Sequence, residues 1–338
     1  MESNEQFLIL YEASENNMDK YILYGAGHDG IAALNYLGKD KVLCFCDAQK
    51  RGTYVNGIPV ISPDEINEKS KEATVVIAVS KNRFIVEICK YLASEGIDFV
   101  FWQDVVAEVI REQGREFSRI CRRPSFKYDP QNEYIVTTDK YDTAGELESY
   151  FWQDLWAARL IYENKPQIHY DIGSRVDGFI THLLSFGQRV VQIDIRPLDV
   201  VVDGYGFVQA DATNLDGIED NSIKSLSALC SLEHFGLGRY GDDLDPEACF
   251  KTFNAIQRVL CRNGHAYISV PIGAEHMEFN AHRVFFAKTI IDSFSKMKLV
   301  EFSSCYRNQI EQNIDIHKYD NWMEWGGDRF GLFHFVKM

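Results

Sequence analysis

Positive charge is scarce in this chain: 35 Lys and Arg stand against 50 Asp and Glu, a formal net charge of −15 over 338 residues. That deficit excludes the basic face that a nucleic-acid partner requires. The one basic cluster, Arg119 with Arg122-Arg123, is short and reads as a solvated connector. Long apolar runs are also missing, and none approaches the ~20 residues of a membrane span. The residues from Met1 to Gln6 are acidic, which excludes a basic secretory leader there, so a cytoplasmic protein is expected. Cys-x-x-Cys pairs are absent. The eight cysteines are scattered, and Cys44 and Cys46 share one face of a strand-like segment. They predict reduced thiols in the core, with neither a disulfide framework nor a metal site. No solenoid period or low-complexity tract is present.

What is present is alternation of strand and helix signals, twice over. The pattern predicts an α/β protein of two Rossmann-like parallel-sheet domains. We read residues 1–111 as a small first domain, 112–148 as a linker with a short strand at Tyr134–Val136, and 149–338 as the second domain. In the first domain, the buried strand Tyr21–Tyr24 runs into Gly25-Ala-Gly27-His-Asp-Gly30, which opens a helix. Val42–Cys46 follows and ends at Asp47, about 20 residues on, the context in which a G-x-G-x-x-G turn binds a dinucleotide. Gly25, Gly27, Gly30 and Asp47 are therefore a candidate nucleotide site. Three readings stay open: docking of a nucleotide-sugar, a purely structural or oligomerising role, and a working NAD(P) site. Ser62-Pro-Asp-Glu65 reads as a capped helix start. Residues 150–162 carry Phe151, Trp152, Leu155, Trp156, Leu160 and Ile161 at helical spacing, a stripe that predicts core packing.

The second domain carries the stronger chemistry. His169–Ile172 is a strand entering the turn Gly173-Ser-Arg-Val-Asp-Gly178; Val190–Asp194 is a second strand ending in a carboxylate; Val208–Ala212 is a third segment ending in Asp211-Ala212. A nucleoside cofactor needs this series: backbone close to its charged tail, a carboxylate for the ribose hydroxyls, and a polar group near the base. Asp171, Gly173, Ser174, Arg175, Gly178, Asp194, Asp211, Ala212 and Ser231 are the candidate cofactor residues. The turn lacks the middle glycine of G-x-G-x-G, so Arg175 stands where close backbone approach is usual. Leu232-Glu-His234 follows the fourth strand, and His234 is a candidate general base. Beyond the fifth strand, residues 273–284 are dense in His, Glu, Asn and Arg. Glu275, His276, Asn280 and Arg283, with Glu233, Arg239 and Tyr240, are candidate substrate contacts, and His282 rivals His234 as base.

Two resemblances sharpen this. The first domain, with Gly25–Gly30 and Asn56-Gly-Ile-Pro-Val60, resembles the small Rossmann-like domains at the amino end of bacterial sugar-modifying enzymes, including sialic-acid and bacillosamine acetyltransferases. Residues 165–295, with the segments from Ser225 to Asp242, Asp245 to Phe250 and Phe279 to Phe285, resemble a family of methyltransferase-like proteins encoded among bacterial surface-polysaccharide genes. The resemblance implies a class I methyltransferase-type domain using S-adenosylmethionine (SAM). It implies O-methylation of a nucleotide-activated or phosphorylated sugar, such as a heptose or hexose, for capsule or lipopolysaccharide. The implied partner is that small sugar or nucleotide-sugar, with a homodimer as the assembly to test. Two rivals remain: a nucleotide-sugar-binding scaffold with a degenerate SAM fold, and an NAD-dependent sugar oxidoreductase, although the latter lacks a Tyr-x-x-x-Lys pair.

Overall fold

The computed structural model describes residues 20–80, 82–137, 144–145, 147–320, 322 and 328–338. The chain divides into two compact units, Met1–Gly145 and Glu146–Met338.

The first unit holds strands β1 (Tyr21–Tyr24), β2 (Val42–Cys46), β3 (Tyr54–Val55), β4 (Ile58–Ile61), β5 (Thr74–Ile77) and β6 (Phe99–Phe101), ordered β3-β4-β2-β1-β5-β6. Every pairing is parallel except β3 with β4. Its helices are α1 (His28–Leu37), α2 (Ile66–Lys69), α3 (Asn82–Ser94) and α4 (Trp102–Ile120). The sheet is buried on both faces because neighbouring strand residues point to opposite sides. Leu23 and Val76 pack with Leu34 of α1 and Trp102 of α4, whereas Ile22 and Val75 pack with Ile66 and Leu92. Ser62 and Glu65 form the reciprocal cap expected at the Ser-Pro start.

Two expectations are corrected here. Helix α4 runs on to Ile120, well into the segment read as linker, because charge pairs support its exposed face: Arg111 to Glu108 at 3.2 Å and Arg115 to Glu112 at 2.7 Å. Residues 134–136 are not a strand. The β3–β4 hairpin also went unread, although its signal is present: Asn56 and Gly57 both have positive φ, 53° and 83°, as a tight hairpin turn requires.

The second unit contains β7 (His169–Ile172), β8 (Val190–Asp194), β9 (Tyr205–Gln209), β10 (Ile223–Leu229), β11 (Leu260–Pro271), β12 (His276–Glu278), β13 (His282–Val284), β14 (Met297–Tyr306), β15 (Gln309–Glu311) and β16 (Arg329–Lys337). Its helices are α5 (Ser149–Asn164), α6 (Thr181–Ser185), α7 (Ala248–Val259) and α8 (Ala287–Ser293). The main sheet runs β15-β14-β16-β11-β10-β7-β8-β9, and β12 and β13 form a separate hairpin. The five strands from β9 to β11 are mutually parallel, and β16 lies antiparallel between β11 and β14. The sheet is thus mostly parallel, with an antiparallel edge made by β16, β14 and β15. The strand order turns back at β7, which has β8 on one side and β10 on the other, so a crevice opens at the carboxyl ends of these strands. The aromatic stripe of α5 is divided. Trp156 and Ile161 join the core beside Leu183 and Tyr267, while Tyr150 and Phe151 are exposed. No helix among the described residues is long and apolar enough to cross a membrane.

Candidate active site

Strand β7 delivers a buried polar chain rather than a single exposed acid. His169 is fully buried between the hydroxyls of Ser225 and Ser227, each 2.8 Å away. Ser227 in turn donates to Asp171 Oδ2 at 2.5 Å. Asp171 also accepts from the Ser174 backbone N–H at 3.0 Å and from the Ser174 hydroxyl at 2.8 Å. Burial pushes its carboxyl up to about 6, against the lowering effect of these bonds. Asp171 lines neither cleft described below. Although a candidate cofactor residue in the sequence, it fastens the turn from within through both its oxygens.

That turn is shaped for close approach. Gly173 has φ +76°, and a Cβ there would lie 2.9 Å from Ser231 Cβ. Ser174 is buried, and its carbonyl accepts from Gln192 Nε2. Arg175 is exposed and paired with Asp177 at 2.6 Å, and a Cβ on Gly178 would meet Asp154 Oδ2 at 3.1 Å.

Two adjoining clefts share Gly173, Arg196, Cys230, His234 and Tyr240. The smaller, of about 220 Å³, is walled by Asp194, Asp211, Ala212 and Ser231. Asp194 closes β8, and its carboxylate accepts from the Arg196 backbone N–H at 2.8 Å as well as from the Arg196 guanidinium. Asp211 accepts from the Thr213 N–H at 2.8 Å. Ser231 is buried and donates to the Ile172 carbonyl at 2.7 Å, tying β10 to β7. The strand-end residues read from the sequence thus meet in one crevice, except Asp171.

The larger cleft, of about 590 Å³, is walled by Ser174, Arg175, Gly178, Glu233, Arg239 and His282, together with Tyr150 and Asp154 of α5. The α5 residues escaped sequence reading because their stripe reads as core. Burial raises Asp154 to about 6. Between the clefts, Cys230 holds φ +47° with its Sγ donating to Gln153 Oε1 at 2.8 Å. A non-glycine residue in the left-handed region stores strain, and such strain collects at functional sites.

His234 Nδ1 lies 2.6 Å from the Ala281 carbonyl oxygen, so that nitrogen carries the proton and Nε2 keeps its lone pair. Burial, aided by nearby Arg239, His282 and Arg196, pushes the imidazole down to about 4. It is neutral at pH 7. Glu233 is buried, and desolvation pushes its carboxyl up to about 8. His282 crosses from β13 with a ring centroid 6.4 Å from that of His234. Burial lowers its pKa as well.

The loop after β11 separates into roles that the sequence does not distinguish. His276, Glu278 and His282 share one face of the β12–β13 hairpin, with Glu278 3.4 Å from His276 Nε2 and 3.7 Å from His282 Nε2. Glu275 and Asn280 are exposed and line neither cleft. Arg283, expected at the substrate, is a correction. It is buried and donates to the carbonyls of Phe235 at 2.6 Å and Pro246 at 3.3 Å. A buried guanidinium needs acceptors, and the loop after β10 supplies them. Arg239 and Tyr240 do reach the larger cleft, where Arg239 donates to the Ala281 carbonyl at 3.0 Å. Sequence reading also missed Asp242, which accepts from the N–H groups of Gly236, Gly238 and Tyr240 and so folds the loop that presents Tyr240. Among the described residues no group of His, Cys, Asp or Glu is arranged to hold a metal ion.

In the first unit the glycine turn packs against itself. A Cβ on Gly25 would lie 2.4 Å from the Ala78 carbonyl oxygen, and one on Gly30 would lie 2.0 Å from that of Gly25. Gly27 faces open space. Asp47 accepts from the Ala26 N–H at 3.1 Å, and Lys50 Nζ donates to the Ala26 carbonyl at 2.7 Å. The bond to Ala26 gives Asp47 a structural use beside this turn.

Residues 218–323 match the family model described as Caenorhabditis protein of unknown function, DUF268. Residues 17–99 match the model described as C2185-like, N-terminal. No curated protein matches the chain. Among solved structures the chain is similar to the Burkholderia thailandensis 1,6-didemethyltoxoflavin-N1-methyltransferase, solved with S-adenosylhomocysteine (16% identity, 55% of this chain and 78% of that one, TM-score 0.40). It is also similar to the N-methyltransferase NodS of Bradyrhizobium japonicum WM9, in complex with S-adenosylhomocysteine (13% identity, 56% and 88% covered, TM-score 0.40). A third is a putative sarcosine dimethylglycine methyltransferase from Galdieria sulphuraria (14% identity, 55% and 85% covered, TM-score 0.39). At these identities the likeness concerns the fold alone.

Proposed function

We propose that the second unit is a SAM-dependent O-methyltransferase whose acceptor is a sugar bearing a nucleotide or phosphate, handled in the cytoplasm during surface-polysaccharide synthesis. One observation carries the reading: Asp194, Asp211 and Ala212 wall one cleft, and a second, larger cleft opens beside it across Cys230 and His234. Asp194 suits two ribose hydroxyls and Asp211 an exocyclic amine, since an ionised carboxylate offers only acceptors. Gly173, at positive φ, lets the turn that lines both clefts pack against Ser231. SAM would supply the methyl group on a sulfonium, already a good leaving group. The chain's contribution is then to hold acceptor and methyl in line and to accept a proton near His234. Arg196 and Arg239 line the larger cleft and favour an anionic carrier, which the protein's net charge of −15 otherwise repels.

Isothermal titration with SAM, S-adenosylhomocysteine and NAD tests the reading. Binding of the first two is expected; binding of neither would sink it. A second reading, a nucleotide-sugar-binding scaffold with a degenerate cofactor site, is favoured by one feature: the Arg196 guanidinium already occupies Asp194. Binding of a nucleotide-sugar without SAM would select it.

A further inference from the structure

Two buried polar atoms of residues lining the larger cleft, Glu233 Oε2 and His282 Nε2, have no hydrogen-bond partner among the described residues. Glu233 is 2% exposed, and its Oε2 makes no hydrogen bond among the described residues. His234 Nε2 lies 3.7 Å from Glu233 Oε1, beyond hydrogen-bond reach. Both residues sit on the turn after β10, where the two clefts meet.

We propose that Glu233 is the base of the acceptor subsite beside His234: the substrate hydroxyl donates to the Glu233 carboxylate, which removes its proton. This rests on the reading of the second unit as a SAM-dependent methyltransferase. In the step, a lone pair of the hydroxyl oxygen forms the O–CH₃ bond. The S–CH₃ bond of the sulfonium breaks, and its electron pair stays on sulfur. The hydroxyl proton passes to Glu233, which returns it to water after product leaves.

The division of labour follows from the surroundings. The His234 imidazole, held down to about 4 by burial and by Arg239 and Arg196, keeps its one proton on Nδ1 and takes no second proton near neutrality. Glu233, raised to about 8 by burial against the pull of Arg239, is far more basic than a free carboxylate and titrates close to physiological pH. Asp154 and Tyr150 face the cleft from α5 and His282 from β13. Asp154 titrates lower, at about 6, and burial lowers His282, so neither competes near the Glu233 value. Arg175 is neutralised by Asp177. Because Arg196 and Arg239 line the same cleft, an ammonium acceptor is disfavoured and a neutral hydroxyl on an anionic carrier fits.

The test is carbon-13 NMR of the full chain labelled at its glutamate carboxyls, titrated from acid to alkaline pH with and without S-adenosylhomocysteine. One glutamate resonance should titrate near 8. Glu233→Gln should delete it while leaving S-adenosylhomocysteine affinity within twofold of wild type, as calorimetry measures. Glycerol, the hydroxyl probe, should shift that resonance. If every glutamate titrates in the ordinary carboxylate range, or the alkaline resonance ignores glycerol, the inference is overturned. If wild type binds no S-adenosylhomocysteine but the alkaline glutamate persists, the methyltransferase reading fails instead. Should Glu233→Gln not fold, Glu233→Asp must delete the same resonance.

Discussion

Arg196 clasps Asp194 through two parallel contacts, Nε to Oδ1 at 3.0 Å and Nη2 to Oδ2 at 2.6 Å, while its guanidinium carbon lies 4.7 Å from the Tyr240 ring centroid. The carboxylate assigned to the cofactor's ribose is therefore already engaged, and binding must exchange one set of donors for another. The arginine side chain is 44% exposed, and pairs of that kind are worth only ~0–1 kcal/mol. Arg196→Ala should thus tighten S-adenosylhomocysteine binding, by up to about fivefold. Asp194→Ala should weaken it by at least about tenfold, since each hydrogen bond to a charged group contributes ~1.5–3 kcal/mol. Calorimetry measures both, and unchanged affinity in Asp194→Ala would remove the ribose assignment.

Gly236 offers a test of the loop behind His234. Its φ is +76°, and a Cβ there would sit 1.9 Å from the Asp245 carbonyl oxygen. Gly236→Ala should lower stability by about 1–3 kcal/mol or more through that strain alone. Gly241, also at positive φ (+86°) but facing open space, should pay only the conformational part when changed to Ala. Urea unfolding of the two variants ranks them, and equal losses would show that the contact with Asp245 is not the cause.

The glycine turn of the first unit separates packing from ligand binding. Gly30→Ala, with a Cβ 2.0 Å from the Gly25 carbonyl oxygen, should destabilise this unit strongly. Gly27→Ala, with nothing within 4 Å, should leave thermal unfolding within about a degree of wild type. If Gly27→Ala also abolishes binding of a nucleotide or nucleotide-sugar by the full chain, the open face of this turn is a binding surface rather than a structural joint.

The buried His169 predicts acid sensitivity. Burial holds its pKa at about 3, below the ordinary value of 6.5. In the unfolded chain it binds a proton first as pH falls, so its stabilising share is complete above 6.5 and is lost on descent toward 3. Asp171 acts with opposite sign, because its raised value of about 6 favours the folded state as pH drops through 6. The difference between wild type and His169→Gln isolates the histidine. Wild type should lose relative stability below pH 6.5, read by chemical unfolding at a series of pH values, and a pH-independent difference would contradict the burial argument.

Much of the sheet is legible in the sequence because period and punctuation agree. The strands Tyr21–Tyr24, Val42–Cys46 and Val190–Asp194 are short apolar runs closed by polar or glycine-rich turns, and they lie where expected. Side-chain direction is another matter. Asp171 is next to last in β7 and Asp194 is last in β8, yet one faces the interior and the other a cleft, because Ser174 and Ser227 offer Asp171 partners inside. Arg283 and Arg239 look alike in sequence, but only Arg283 meets a row of buried carbonyls. Tyr150 and Asp154 belong to the site through chain reversals that no local pattern records, as the Cys230–Gln153 bond across 77 residues illustrates.

The placement of β16 has a consequence for how the second unit is assembled. This strand, Arg329–Lys337, lies between β11 and β14, antiparallel to both. Until it docks, β11 and β14 each present an unsatisfied edge, and α5 packs beside a sheet with a missing central slat. Closure of this sheet therefore depends on the most distant pairing in the sequence, which places the unit among slow, high-contact-order folders. An early-synthesised β7–β11 half must wait with one edge bare, the kind of surface that chaperones shield or neighbouring chains invade.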